Sequence, residues 1–223
     1  MNLKDKVILI TGAGSGLGQA LAVAAGQAGG KVICAGRRKE RIQKTAEEVT
    51  KAGGTGTAVE MDVADEKSVE KGVKQAEKET GPVEILINNA GIITGMKAVQ
   101  DLPVEEWDRI MATNVRGPYL LIRAILPGMI QRGFGRIVNI SAPIKHLPKA
   151  SGYCASKCAL DSLTKAVSYE LKGMDVLINA VEPPFLDTEM HKGGKKPEEV
   201  VSQILELAAL EAGSQSGRIV KIS

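Results

Sequence analysis

Short runs of β-branched and aliphatic residues alternate with segments whose apolar positions recur at helical spacing, and the alternation holds along the chain. Val7 to Thr11 reads as a first strand, Leu17 to Ala28 as a helix and Lys31 to Ala35 as a second strand. That is a βαβ unit. The pattern continues with an amphipathic helix from Arg38 to Ala52, a strand near Thr57 to Val63, a helix from Asp65 to Glu79 and a strand from Val83 to Asn88. Next come a long helical segment from Pro103 to Arg132, a strand from Arg136 to Ser141, a helix from Gly152 to Leu171 and a strand from Asp175 to Val181. A last helix follows Pro197, whose ring suits a first helical turn, and Gly217 to Ile222 forms a final strand. Seven strands alternating with six helices need crossover connections. The expected fold is therefore α/β: a doubly wound, parallel sheet with helices on both faces, one domain over residues 1–223. His191 to Lys196, with two Gly and three Lys, is the stretch expected to be most flexible.

Composition removes several function classes. The 29 Lys and Arg nearly balance 26 Asp and Glu, so a formal charge of +3 makes no general trap for polyanions. One Trp, three Tyr and two Phe provide few platforms for stacking bases. No nucleic-acid or membrane partner is expected. The first apolar stretch, Val7 to Ile10, is far shorter than the ~20 residues of a spanning helix and runs into glycines, so it reads as neither anchor nor signal. Cys34, Cys154 and Cys158 are too few and too irregularly spaced for a disulfide framework, which points to a reducing cytoplasm.

Three clusters carry candidate chemistry. Gly12, Ser15, Gly16, Leu17 and Gly18 join the first strand to the first helix, where free backbone N–H groups and the helix dipole favour an anion. The spacing matches neither the usual G-x-G-x-x-G fingerprint nor a Walker loop, and a plain tight turn is the competing reading. At the end of the second strand, where a carboxylate would select NAD, stand Gly36, Arg37 and Arg38. Two guanidiniums suit a 2′-phosphate, so NADP(H) is preferred with NAD(H) still open, unless both arginines are merely solvated. Tyr153 and Lys157 lie four residues apart on one helix, so phenol and ammonium can converge on one substrate, the cation favouring phenolate. Cys154 and Cys158 share that spacing but lack a nearby His, and no metal site is assigned.

Together, these clusters, Asp62-Val63, Asn88-Asn89-Ala90-Gly91, Asn114, the Arg136 to Ser141 strand, and Pro183 with Thr188 resemble the short-chain dehydrogenase/reductase family along nearly the whole chain. The resemblance implies a Rossmann-like sheet on which hydride passes between a nicotinamide cofactor and a carbonyl or alcohol. Residues matched by position would take the family's roles: Gly12, Ser15, Leu17 and Gly18 at the pyrophosphate, Asp62 and Val63 at the adenine, and Asn89 between adenosine and nicotinamide. Leu186 and Thr188 would border the nicotinamide. Tyr153 would be the acid/base, Lys157 would bind the nicotinamide ribose and tune it, and Asn114 would hold a relay water. The helices over Pro103 to Arg132 and Gly152 to Leu171 pair across a twofold axis in this family, implying a homodimer or homotetramer.

Two departures from the family pattern bear on chemistry. The place of the substrate-binding Ser is Ala142, in a connection to Tyr153 shorter than the family's, so either Ser141 takes the role or an oxyanion donor worth ~3 kcal/mol is missing. Pro143, Lys145, His146 and Pro148 in this connection are unusual too; His146 is either a substitute donor or a solvated loop residue. The substrate lid is reduced to a very short segment near residues 189–196, leaving the pocket open, and Pro184 replaces the family's Gly. The expected function is NADPH-dependent reduction of a small-molecule carbonyl, a 3-oxoacyl thioester being one substrate. The alternative is an NADP(H)-binding protein with weak or no catalysis.

Overall fold

The computed structural model describes residues 3–189 and 191–222. Seven strands form one sheet: β1 (Val7–Thr11), β2 (Lys31–Gly36), β3 (Thr55–Glu60), β4 (Ile85–Asn88), β5 (Gly135–Ile140), β6 (Val176–Glu182) and β7 (Ile219–Lys221). Their order is β3-β2-β1-β4-β5-β6-β7 and every pairing is parallel. Strand order reverses between β1 and β4, the place where doubly wound sheets open a crevice at their carboxyl edge.

The strand period of two divides the core. Ile8 and Ile10 of β1 join Val32, Cys34, Ile85, Ile87 and Val138 on one face, beneath helices α1 (Gly16–Gln27), α2 (Lys39–Lys51) and α7 (Val201–Ala208). Val7 and Leu9 join Ile33, Leu86, Ile137 and Ile178 on the other, beneath α3 (Glu66–Thr80), α5 (Gly117–Arg132) and α6 (Ser151–Glu170). All five residues of β1 are buried, as a central strand covered on both sides requires.

The long segment read as one helix is α4 (Val104–Met111), a π turn over Ala112–Arg116, and α5. Pro118 has no N–H to give Asn114's carbonyl at the next turn, and the Gly117 N–H reaches back to Ala112 O instead. The turn widens at Asn114. The strand expected up to Val63 ends at Glu60, because the Asp62 side chain takes the Ala64 N–H at 3.0 Å and starts a turn. Pro197 opens a 3-10 turn that leads into α7.

The stretch expected to be most flexible makes backbone bonds at His191 and Lys195. Asp187 N–H donates to Lys195 O at 2.8 Å, Lys195 N–H to Phe185 O at 2.9 Å, and Thr188 N–H to His191 O at 2.8 Å. Gly194 permits this approach: at φ +102°, a Cβ there would lie 2.2 Å from Phe185 O. Met190, inside the segment read as a lid, lies outside the described residues.

Candidate functional site

Apart from those on helices, the residues given a catalytic or cofactor role follow the carboxyl end of a parallel strand, so the topology gathers them on one edge. Gly12 to Gly18 follow β1, Arg37 and Arg38 follow β2, Asp62 and Val63 follow β3, and Asn89 follows β4. Ser141 and Ala142 follow β5, and Leu186 and Thr188 follow β6.

The loop after β1 is shaped by its glycines. A Cβ on Gly18 would lie 2.3 Å from Gly12 O and 2.5 Å from Asn89 Nδ2, while Gly12 itself sits at φ +65°. Asn89 Nδ2 donates to Thr11 O at 2.8 Å, and the N–H groups of Asn89 and Ala90 both donate to Thr11 Oγ at 3.0 Å, fixing β4 against the loop. Ser15 caps α1 without a side-chain bond, so the first-turn amides keep their donors for an incoming anion. Leu17 is buried behind them, and Val63 is buried against Gly117. This cradle fits a dinucleotide's diphosphate. Beyond it, Arg38 Nη2 donates to Ser15 Oγ at 3.0 Å, and Arg37 Nη1 lies 4.0 Å from the Asp62 carboxylate.

The second cluster lies on α6 and the end of β5. Lys157, buried, donates from Nζ to Ile140 O at 2.7 Å, and its ammonium sits 5.7 Å from the centre of the Tyr153 ring. Burial, followed by the nearby Lys145 charge, brings the Lys157 ammonium down to about 8, against the opposing pull of Asp161. Burial, and then Cys154, pushes the Tyr153 phenol up to about 12. Lys157 gives a proton to a main-chain carbonyl, and desolvation is the largest influence on Tyr153. At neutral pH the phenol is protonated, the state that can donate to an oxygen.

Asn114, buried in the π turn, accepts from Ile92 N–H at 2.8 Å and donates from Nδ2 to Ile92 O at 2.9 Å and Ser156 Oγ at 3.0 Å. Ser156 in turn donates to Tyr153 O at 2.7 Å, so the π turn, the β4 loop and α6 are one bonded unit. Ser141 is buried, and its Oγ accepts from Lys145 Nζ at 2.9 Å. Lys145 is held by Asp161 at 2.6 Å and Glu182 at 3.2 Å, so each ammonium proton has an acceptor. Among the described residues the Ser141 proton has none, which leaves it for an external oxygen. Ala142 is buried and His146 is exposed. One small cleft of about 10 Å³ beside Tyr153 is bordered by Ile93, Thr94, Lys149 and Gly152.

A family profile described as short chain dehydrogenase matches residues 6–199. The chain belongs to the short chain dehydrogenase family. A short chain dehydrogenase of Pseudocercospora fijiensis is 34% identical over 84% of this chain, and the match spans only 62% of that protein. A 3-oxoacyl-[acyl-carrier-protein] reductase of Thermotoga maritima is 31% identical over 100% of this chain and 98% of its own length. Among solved structures, the 3-ketoacyl-(acyl-carrier-protein) reductase of Brucella melitensis complexed with NADH superposes with a TM-score of 0.91 at 30% identity, covering 99% of this chain and 97% of that one. This short chain dehydrogenase is thus an NAD(P)(H)-dependent oxidoreductase on a Rossmann-like fold.

Sequence reading missed five polar residues that this short chain dehydrogenase brings to the site: Arg41, Ser156, Asp161, Glu182 and Glu189. Arg41, three residues after Arg38, and Asp161, four after Lys157, have helical spacing as a signal. Glu182 and Glu189 carry none, because strand ends and loops leave no period to read. No helix among the described residues is long and apolar enough to cross a membrane.

Proposed function

We propose that this chain reduces a carbonyl to an alcohol with NADPH, Tyr153 giving the proton to the carbonyl oxygen. The placement of the Tyr153 ring 5.7 Å from the buried Lys157 ammonium on α6, at the end of β5, is the observation that carries the reading. When bound, the dihydronicotinamide supplies the hydride. Lys157 holds the nicotinamide ribose, Asn114 anchors the relay water, and Leu186 and Thr188 border the nicotinamide. Ser141 donates its proton to the oxygen in place of the hydroxyl absent at Ala142, with Lys145 holding its Oγ. Gly12, Ser15, Gly16, Leu17 and Gly18 seat the diphosphate, Asp62 and Val63 the adenine, and Asn89 the span between. Arg37 and Arg38 favour the 2′-phosphate of NADPH over NADH.

The full-length similarity to 3-oxoacyl-[acyl-carrier-protein] reductases makes 3-oxoacyl thioesters the first substrates to test. NADPH consumption should be followed with these thioesters, ketones and quinones, comparing the wild type with Tyr153→Phe. The variant is expected to lose at least ~100-fold in turnover while binding NADPH normally; unchanged turnover removes Tyr153 from its role. Ala142, which has no hydroxyl to offer a substrate oxygen, favours a second reading, a cofactor-binding protein with little turnover. Tight NADPH binding with no turnover across the panel would establish it. A recess of about 500 Å³ lined by Met111, Ala112, Val115, Tyr119 and Leu163 supports pairing of two copies across α5 and α6. Light scattering should give a dimer or tetramer, and Tyr119→Glu should shift it toward monomer.

A further inference from the structure

The strap after β6 brings a carboxylate to Arg38, assigned above to a phosphate, and to Arg41 beside it on α2. Glu189 Oε1 accepts from Arg41 Nη1 at 2.5 Å, and its Oε2 accepts from Arg38 Nη1 at 3.3 Å. Arg38 at the same time donates to Ser15 Oγ at 3.0 Å, so three residues around the rim of the glycine loop are drawn together by one anion. Bonds from Arg41 and then Arg38 keep the Glu189 carboxyl below its ordinary range, so it is ionised at neutral pH. The placement is built into the backbone. Thr188 lies against the loop, its Cγ2 within 3.2 Å of where a Gly16 Cβ would stand, and the backbone bonds of Asp187, Thr188 and Lys195 fasten the strap on either side of Glu189. Gly14 faces Arg41 with only 3.0 Å between its ideal Cβ and the Arg41 Cβ, which sets Arg41 directly against the loop.

We propose that Glu189 is an internal competitor of the cofactor's 2′-phosphate and thereby sets how strongly the chain discriminates between NADPH and NADH. A carboxylate and a phosphate present guanidinium with the same forked oxygen geometry. With Glu189 seated, Arg38 and Arg41 are already neutralised. NADPH has to displace the carboxylate to bind its phosphate, whereas NADH leaves both ion pairs in place. Both pairs are exposed, so the competition is modest and screened by salt. Its effect is a several-fold adjustment of selectivity, not a block.

The inference rests on the NADP(H) reading above, and one set of titrations separates the two. Dissociation constants for NADPH and NADH are measured by equilibrium fluorescence on the wild type, Glu189→Gln and Arg38→Ala, at low and high salt. Glu189→Gln is expected to tighten NADPH by roughly three- to tenfold at low salt and less at high salt, leaving NADH within about twofold. Arg38→Ala is expected to weaken NADPH much more than NADH. If Arg38→Ala shifts the ratio but Glu189→Gln does not, the competitor role is overturned and the NADP(H) reading stands. If neither shifts it, both fall. Weakened NADH binding in Glu189→Gln with NADPH unchanged would put the carboxylate on the ribose hydroxyls and also overturn the proposal.

Discussion

The cofactor edge, at the ends of β1 and β4, and the substrate edge, at the ends of β5 and β6, are built by different physics. At the first, shape comes from backbone: glycines at positive φ, a loop carbonyl touching Gly18, and Asn89 pinned to Thr11. At the second, shape comes from charge, a Lys145 ammonium shared by Ser141, Asp161 and Glu182 beneath a shortened connection. The steric half has little tolerance. The ionic half has more, because a partly buried charge cluster can be rebuilt from different residues as long as each charge finds a partner.

The largest test of this contrast is Ser141→Ala. With Ala142 already lacking a hydroxyl, its removal should lower kcat by roughly 100-fold with NADPH affinity unchanged, as steady-state kinetics beside equilibrium titration will measure. A normal kcat would move the donor elsewhere on the substrate edge. Gly18→Ala attacks the other edge: its Cβ would meet the Gly12 carbonyl at 2.3 Å, and overpacking of ~1–3 kcal/mol should weaken NADPH roughly ten- to hundredfold. Ala142→Ser restores the family hydroxyl and should raise kcat by up to about tenfold, less than Ser141→Ala lowers it, if Lys145 has already oriented Ser141.

The smallest effect is on stability in the cofactor-free protein. Lys157 binds its proton less tightly when folded, at about 8 against 10.5, so between these values the unfolded chain carries the extra proton. Stability should then rise with pH across that window, by at most ~1.4 kcal/mol per pH unit, or a few degrees in the thermal midpoint. Lys157→Met should flatten the rise. Turnover should move the opposite way, falling as pH climbs through about 8 and Lys157 loses its charge.

Strand and helix order was readable throughout, because alternation of two periods survives wherever one face of an element is buried. It failed where local chemistry breaks a period, at the π turn around Asn114 set by Pro118. In the site, the glycine loop and the Tyr153–Lys157 pair were legible because each is a short-range pattern. Glu182 and Asp161 meet Lys145 from distant parts of the chain, and nothing local announces that meeting.

Sequence alone determined the parallel sheet, the glycine loop after β1 and the phenol–amine pair, since backbone sterics and helical spacing act between near neighbours. Only the tertiary structure decided the protonation of Tyr153, the partner of Ser141 and the seat of Glu189 on Arg38 and Arg41. Those depend on burial and on charges brought together by the fold, and desolvation has no value until the surrounding chain is in place.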